Sequence, residues 1–285
     1  MIRSLVLAGV GAAAGFGVAR ALTAARPLLD RAGRLDRPNH SGASVSLIEG
    51  PAVAAGLAVA ALALPRPAHR FAAVTATAAA GVLGGIDDLM ETGSAKGLRG
   101  HLSALARGEV TTGGLKVLGI PAASLLAAAV VREPRPLAGS AVLGRCVDTV
   151  LAGGVIAGSA NLVNLLDLRP GRALKAAGLV TVLGPLHGPA AVLSGGVLGT
   201  AAAVWGEDLA GRTMLGDTGA NALGAALGTR TALQGSRGEL LGVLSLLVAL
   251  TLASEKVSFT RVIEATPVLR ELDAWGRTPA APAAP

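Results

Sequence analysis

The sequence predicts an all-α polytopic membrane protein, a bundle of about nine transmembrane helices, and three observations support this fold class. Of the 285 residues, 52% are hydrophobic and only 15% are charged, whereas soluble domains carry about 25% charged residues. The mean hydropathy is +0.60. The apolar stretches are continuous and recur along the whole chain, unlike the alternating segments of about ten residues that form a membrane β-barrel.

The apolar stretches define the elements in order. The first could be read as a signal peptide, but about twenty apolar residues are enough to cross a bilayer, and we expect a spanning helix. The predicted spans are residues 4–25, 48–64, 71–88, 114–131, 141–165, 173–187, 189–205, 214–230 and 239–253. The pair covering 173–205 is alternatively one kinked unit, because Pro185 and Pro189 interrupt it. Residues 1–275 are predicted to form one transmembrane domain, and 276–285 a disordered Pro/Ala tail.

The protein is expected in the plasma membrane, and the distribution of Lys and Arg residues predicts its orientation there. One set of alternate loops carries roughly twice as many Lys and Arg residues as the other, and such loops are usually cytoplasmic. The N-terminus is therefore expected outside and the C-terminus in the cytoplasm. The same rule accounts for the net charge of +7. No nucleic acid partner is expected, because a chain with no Tyr, three Phe and two Trp offers few stacking surfaces for bases.

Several polar residues fall where the predicted spans meet the cytoplasmic face. Charged groups are costly within a bilayer, so those that occur usually face an interior or a functional site. Asp87 and Asp88 end the third span, and Asp217 begins the eighth. The end of the fifth span carries Asn161, Asn164 and Asp167.

This set of oxygen ligands indicates a site for Mg²⁺, which is usually held by one or two carboxylates together with substrate phosphates. Nearby basic residues could bind those phosphates; they are Lys96, Arg99, Lys116, Arg169, Arg172 and Lys175. Gly216 and Gly219 would let backbone N–H groups approach an anion where a helix begins. Taken one at a time, each motif also fits a solvated helix end, an N-cap or a hydrogen bond between helices.

Four motifs in order resemble one family. They are "GGIDDL", "KGLRG", "NLVNLLD" and "MLGDTGANALGAALG", and the likeness covers about residues 30–230. The chain resembles the polyprenyl-phosphate N-acetylhexosamine-1-phosphate transferases, a superfamily that includes the phospho-N-acetylmuramoyl-pentapeptide transferase of peptidoglycan synthesis. The resemblance implies Mg²⁺-dependent transfer of a sugar-1-phosphate from a UDP-linked amino sugar to a polyprenyl phosphate lipid, with release of UMP, in cell-envelope synthesis.

The resemblance also assigns roles to residues. It implies catalytic roles for Asp87 and Asp88, and it leaves open which of them is a base and which a metal ligand. It implies that Asp88, Asp167 and Asp217 bind the metal. The residues implied to bind substrate are Lys96, Asn161, Asn164, Asp167, Gly216 and Gly219. A homodimer is left open.

The sequence departs from the family pattern in two places. The family continues its Asn loop as D-G-x-D-G, whereas this chain reads Asp167-Leu168-Arg169-Pro170-Gly171 and lacks the later His-rich loop. Two alternatives therefore remain. One is a non-catalytic family member that binds lipid-linked precursors or scaffolds envelope assembly, and the other is a small-molecule transporter, which would show broken helices near mid-membrane.

Overall fold

The computed structural model describes residues 1–38, 44–90, 107–108, 111–132, 136–184 and 186–278. In chain order the helices are α1 (Ile2–Ala24), α2 (Arg26–Leu29), α3 (Glu49–Ala61), α4 (Pro67–Met90), α5 (Thr112–Val131), α6 (Ala141–Leu166), α7 (Arg172–Leu183), α8 (Ala190–Leu209), α9 (Gly216–Gln234), α10 (Arg237–Ser254), α11 (Phe259–Ala265) and α12 (Pro267–Ala274). The two strands are β1 (Asp36–Pro38) and β2 (Ser44–Ser46). The all-α membrane class predicted from composition is confirmed.

Six helices in this part of the chain are long and apolar enough to cross a membrane, rather than the nine predicted. They are α1, α4, α5, α6, α8 and α10. The other three predicted spans also form helices, but α3 and α7 have only 13 and 12 residues. Helix α9 has 19 residues and is buried almost throughout, so its surface does not need the apolar character that lipid contact requires.

Local sequence signals explain where several helices begin. The Thr111 hydroxyl accepts a hydrogen bond from the Gly114 N–H at 2.9 Å, which caps α5. A capping box formed by Ser236 and Glu239 begins α10. Such caps satisfy N–H groups that have no partner within the helix. Helices α7 and α8 are separate, since α7 ends at Leu183 and α8 begins only at Ala190.

Helix α9 lies at the centre of the bundle and packs against α3, α4, α6 and α8. Small residues make these close approaches possible. A Cβ atom added to Gly219 would lie 2.8 Å from the Cα of Gly50 on α3, and one added to Gly84 on α4 would overlap the carbonyl of Asp217. The glycines therefore bring the first turn of α9 directly against α3 and α4.

Two features at one end of the bundle are absent from the sequence prediction. Strands β1 and β2 pair antiparallel, with Asp36 opposite Ser46. Helices α11 and α12 fold back over the same end, where the N–H of Thr278 donates to the carbonyl of Leu209 at 3.2 Å. Residues 279–285 of the predicted tail lie outside the described part of the chain.

Candidate functional site

The structure brings Asp87, Asp88, Asp167 and Asp217 to one end of the bundle, which we call the acidic end. Asp87 and Asp88 lie in the last turn of α4, Asp217 in the first turn of α9, and Asp167 directly after α6. Asp88 and Asp217 are in direct contact, because one carboxylate oxygen of Asp88 accepts a hydrogen bond from the backbone N–H of Asp217 at 2.9 Å.

Asp88 caps the N-terminus of α9. Its second carboxylate oxygen accepts the N–H of Thr218 at 2.9 Å and the Thr218 hydroxyl at 2.6 Å. Gly216 precedes these donors with φ of 57°, a conformation that favours glycine. A Cβ atom there would also lie 3.0 Å from the Asp88 carboxylate. The backbone N–H groups of Asp217 and Thr218 thus bind a carboxylate of this chain, and their approach to a substrate anion stays a prediction.

Asp87 faces a different partner. Its carboxyl lies beside the carboxyl of Asp217. Lys116, from the second turn of α5, forms an ion pair with Asp217, and its Nζ lies 3.7 Å from Oδ2 of Asp87. Two carboxyls and one ammonium thus meet where α4, α5 and α9 come together. We call these three residues the carboxyl pair and its lysine.

Glu49 and Asp208 also belong to the acidic end, and Asp208 was not among the residues predicted from the sequence. Glu49 is fully buried, and Asp208 is only 2% exposed. The Thr213 hydroxyl donates to Oε2 of Glu49 at 2.5 Å. Oε1 of Glu49 and Oδ2 of Asp208 are buried and have no hydrogen-bond partner among the described residues. Both residues occupy the end of an apolar helix on the acidic side, which is the signal that could have identified Asp208.

Asp167 lies between these two groups of acids. Burial raises its pKa well above the ordinary value, and the neighbouring carboxylates of Asp208, Asp217 and Asp88 raise it further. The backbone N–H of Gly216 opposes this shift by hydrogen bonding to the carboxyl. Oδ2 of Asp167 is buried, and no residue in the described part of the chain forms a hydrogen bond with it. This oxygen could accept a proton or a hydrogen bond from a ligand.

The other residues predicted to bind substrate have different surroundings. Asn161 donates to the Thr251 hydroxyl at 3.0 Å, which links α6 to α10. Asn164 is half-buried one turn before Asp167. Gly219 lies in the contact between α9 and α3. Lys96 falls in residues 91–106, outside the described part of the chain. Their roles in binding substrate stay predictions.

The C-terminal helices engage three of the basic residues considered as phosphate ligands. Arg172 forms two hydrogen bonds with the Asp273 carboxylate, at 2.7 and 3.1 Å. Lys175 donates to the backbone carbonyl of Asp273 at 2.7 Å. Arg169 pairs with Glu264 at 2.8 Å. In this arrangement the three cations hold α11 and α12 over the acidic end.

An apolar groove of about 490 Å³ runs along the outside of α3 and α4 and ends at the acidic end. Its walls include Pro51 and Ala54 of α3 and Val82 of α4, while Asp88 and Thr218 provide polar groups. Arg37 donates to the Asp88 carbonyl at 3.0 Å, which brings a guanidinium close to the same residue. We call this feature the lateral groove.

Asp87 and Asp217, the carboxyl pair, are the residues at the acidic end that could bind Mg²⁺. Among the described residues, no three carboxylate, imidazole or thiolate side chains are placed to hold a metal ion. The carboxyls of Asp87 and Asp217 nevertheless meet around one cationic group, the Lys116 ammonium. Two carboxylates are sufficient when substrate phosphates complete the coordination of Mg²⁺. The pair fits such a site, whereas Asp88 already accepts three hydrogen bonds.

Comparison with known proteins adds no family assignment. No family model matches this chain. Comparison with curated proteins also found no match. Any assignment of function therefore depends on the acidic end and the lateral groove.

Proposed function

We propose that the protein is a phosphoglycosyl transferase that moves a sugar-1-phosphate from a UDP-linked amino sugar to a polyprenyl phosphate. One observation carries the proposal: an apolar groove along the outside of α3 and α4 leads to Asp88, and Asp88 accepts a hydrogen bond from the backbone of Asp217, a member of the carboxyl pair. A long apolar chain in the groove would bring its phosphate to buried acids and Lys116 at one membrane surface.

The residues of the acidic end divide the work of this reaction. A phosphate oxygen of the lipid would attack the β-phosphorus of the UDP-sugar, and the bond to UMP would break, with the electron pair leaving on UMP. Asp87 and Asp217 would hold Mg²⁺, which when bound neutralises charge on the phosphates that must meet. Lys116 offers its ammonium to a phosphate beside the pair, and Arg37 offers a guanidinium near Asp88.

Asp88 and Asp167 support the site in other ways. Asp88 fixes the first turn of α9 and so positions the Asp217 side chain. Asp167 presents a buried carboxyl whose raised pKa favours its protonated form, which can donate a hydrogen bond to a phosphate oxygen. Between them, these residues keep the carboxyl pair in place and hold a proton beside it.

The test is UMP release by purified protein given polyprenyl phosphate, Mg²⁺ and a panel of UDP-sugars. We expect release that depends on the lipid and the metal, and a loss of at least about a hundredfold in Asp87→Asn and Asp217→Asn variants. Glu207→Gln, at an exposed ion pair of the same end, is the matched control and should keep full activity. No UMP from any donor would overturn the proposal.

A second candidate is a non-catalytic protein that binds a polyprenyl phosphate or a lipid-linked precursor. The observation that favours it is the engagement of the basic residues Arg169, Arg172 and Lys175 by the C-terminal helices. This candidate predicts saturable binding of polyprenyl phosphate with no UMP release. Binding that is lost when bulky side chains replace Ala54 and Ala78 would place the lipid in the lateral groove.

A further inference from the structure

A second cavity lies at the opposite end of the bundle from the acids. It has a volume of about 470 Å³ and is formed by the first turn of α1, the connection from α3 to α4, the end of α5, the start of α8 and the end of α9. The basic side chains of its lining are Arg3, Arg66, His69 and Arg132. We call it the basic pocket. No residue of this pocket belongs to the acidic end or the lateral groove.

The chemistry of the lining is that of an anion site. No acidic side chain of the described residues lines the pocket, whereas three guanidiniums and an imidazole do. Guanidiniums present several N–H donors in a planar fork that matches phosphate oxygens. The remaining walls are largely apolar and include Leu7, Pro65 and Leu233. The pocket therefore suits a ligand that combines a phosphate group with an apolar part.

Arg132 is held rigidly at the base of this pocket. It is 8% exposed, and its Nη1 donates to the carbonyls of Ala232 and Gly235 at 3.0 and 2.9 Å, at the end of α9. Its Nη2 lies 3.8 Å from Asp148. Asp148 binds Arg237 more closely, with both carboxylate oxygens, at 2.8 and 2.9 Å. Asp148 thus lies within reach of two arginines. Arg132 itself is held in a weakly solvated position, where an anion is attracted more strongly than in bulk water.

Arg3 and Arg66 are placed to close on such an anion. Both are exposed at the pocket and come from different elements, the first turn of α1 and the residues just before α4. His69, in the first turn of α4, also lines the pocket and is 8% exposed. The pocket therefore presents two exposed guanidiniums and one buried guanidinium, which can contact a phosphate from several sides.

We propose that the basic pocket binds a phosphate group, supplied either by an anionic lipid headgroup or by a soluble phosphate compound. The proposal is independent of the function proposed for the acidic end, because no residue is shared. It assigns a binding role to four residues that lie outside the sequence motifs.

The experiment compares two probes on the full-length protein in detergent. Native mass spectrometry measures retention of phosphatidylglycerol against phosphatidylcholine, and calorimetry measures binding of inorganic diphosphate. Phosphatidylglycerol binding alone identifies a lipid headgroup as the source, and diphosphate binding alone identifies a soluble one. Failure of the parent protein to bind either probe, or equal retention of both lipids without diphosphate binding, would overturn the proposal.

Substitutions then locate the binding. Arg3→Gln should weaken binding of the effective probe by about tenfold, and the Arg3→Gln/Arg66→Gln pair by about a hundredfold, because each removes a charge-assisted contact. Both side chains are exposed, so the thermal midpoint should change little. Arg145→Gln, at an exposed arginine near the start of α6, is the matched control and should bind like the parent. Equal affinity in the parent and the double variant would place the anion elsewhere and contradict the assignment.

Discussion

Asp87 and Asp88 are adjacent in sequence but have different roles in the structure. Successive residues on an α-helix point about 100° apart, because each turn contains 3.6 residues. Asp88 consequently faces the N-terminus of α9, and Asp87 faces Asp217 and Lys116. Substituting Asp88 would thus reduce activity by displacing the first turn of α9. Substituting Asp87 or Asp217 would instead remove a carboxyl group that is proposed to bind the metal ion.

Replacing Asp88 with Asn should destabilise the protein. The carboxylate accepts two backbone N–H groups and a hydroxyl from the first turn of α9, and hydrogen bonds to a charged group contribute about 1.5–3 kcal/mol each. We expect a loss of roughly that size in the free energy of unfolding, measured by thermal or denaturant unfolding in detergent. Glu207→Gln is the control, because it removes only an exposed ion pair with Arg212. It should lower the free energy of unfolding by no more than about 1 kcal/mol. An unchanged midpoint in Asp88→Asn would exclude the capping role.

Asp167 should make stability depend on pH. Its pKa in the folded protein is raised by burial and by neighbouring carboxylates, so the folded state holds a proton that the unfolded chain has already released. Stability is therefore greatest below the ordinary carboxyl pKa and falls as pH rises towards the raised value. Asp167→Asn should flatten this dependence and stabilise the protein at neutral pH, as measured by midpoints from pH 4 to pH 8. A variant with the same pH profile as the parent would contradict this assignment.

At the scale of single elements, the contact between α1 and α8 depends on glycine. A Cβ atom at Gly195 of α8 would overlap the carbonyl of Ala8, and one at Gly199 would overlap the carbonyl of Ala12. Gly206 of the same helix has no atom within 4 Å of such a position. The sequence of α8 does not distinguish these glycines. Gly195 and Gly199 are required only because α1 packs directly against them.

These glycines of α8 offer a matched comparison. Gly195→Ala should force α1 away from α8 and lower the free energy of unfolding by about 1–3 kcal/mol. Gly206→Ala should be neutral or stabilise by up to about 1 kcal/mol, since alanine favours a helix more than glycine does. Chemical denaturation of both variants in one detergent measures the difference. If the two substitutions changed the free energy of unfolding equally, the close contact between α1 and α8 would not contribute to stability as proposed.

At the scale of the whole molecule, the bundle has two chemically different ends. One end gathers Asp87, Asp167, Asp217 and Glu49, with α11 and α12 folded over it. The other end carries the basic pocket. Charge in the loops predicts that the acidic end is cytoplasmic, and this orientation remains a prediction.

Cysteine labelling would test the orientation. In a Cys146→Ser background, Leu186→Cys and Leu168→Cys place single thiols at exposed positions of the two opposite ends. A maleimide that cannot cross membranes should label Leu186→Cys in intact cells, and should label Leu168→Cys only after the membrane is opened. The reverse pattern would invert the assignment and place the acids outside.

The C-terminal segment should be released when its central carboxylate is removed. Although burial opposes ionisation, the guanidiniums of Arg172 and Arg277 hold the pKa of Asp273 below its ordinary value of 3.8. This stabilisation is present above pH 3.8 and is lost as pH falls through the lower value in the folded protein. At neutral pH, Asp273→Asn should speed hydrogen exchange in α12 by about tenfold. Glu264→Gln, at an exposed pair, should have a smaller effect, and equal rates in both variants would show that Asp273 does not anchor the segment.

Much of the fold follows from the pattern of apolar stretches, which located every long helix of the structure within a few residues. The short strands β1 and β2 and the helices α11 and α12 were missed. Their sequences are short and polar, and long-range contacts hold them in place, such as those of Ser46 with Thr213 and Arg172 with Asp273. Such contacts leave no periodic signal along the chain.

The sequence by itself determined the membrane class, the helices and the presence of Asp87, Asp88, Asp167 and Asp217 at helix ends on one side, because hydrophobicity and spacing act locally. Only the tertiary structure decided which acid meets which partner: Asp88 with the N-terminus of α9, and Asp87 with Asp217 and Lys116. It also brought Asp208 and the lateral groove to the same end. The physical reason is that side-chain direction and helix packing fix these contacts between residues far apart in the chain.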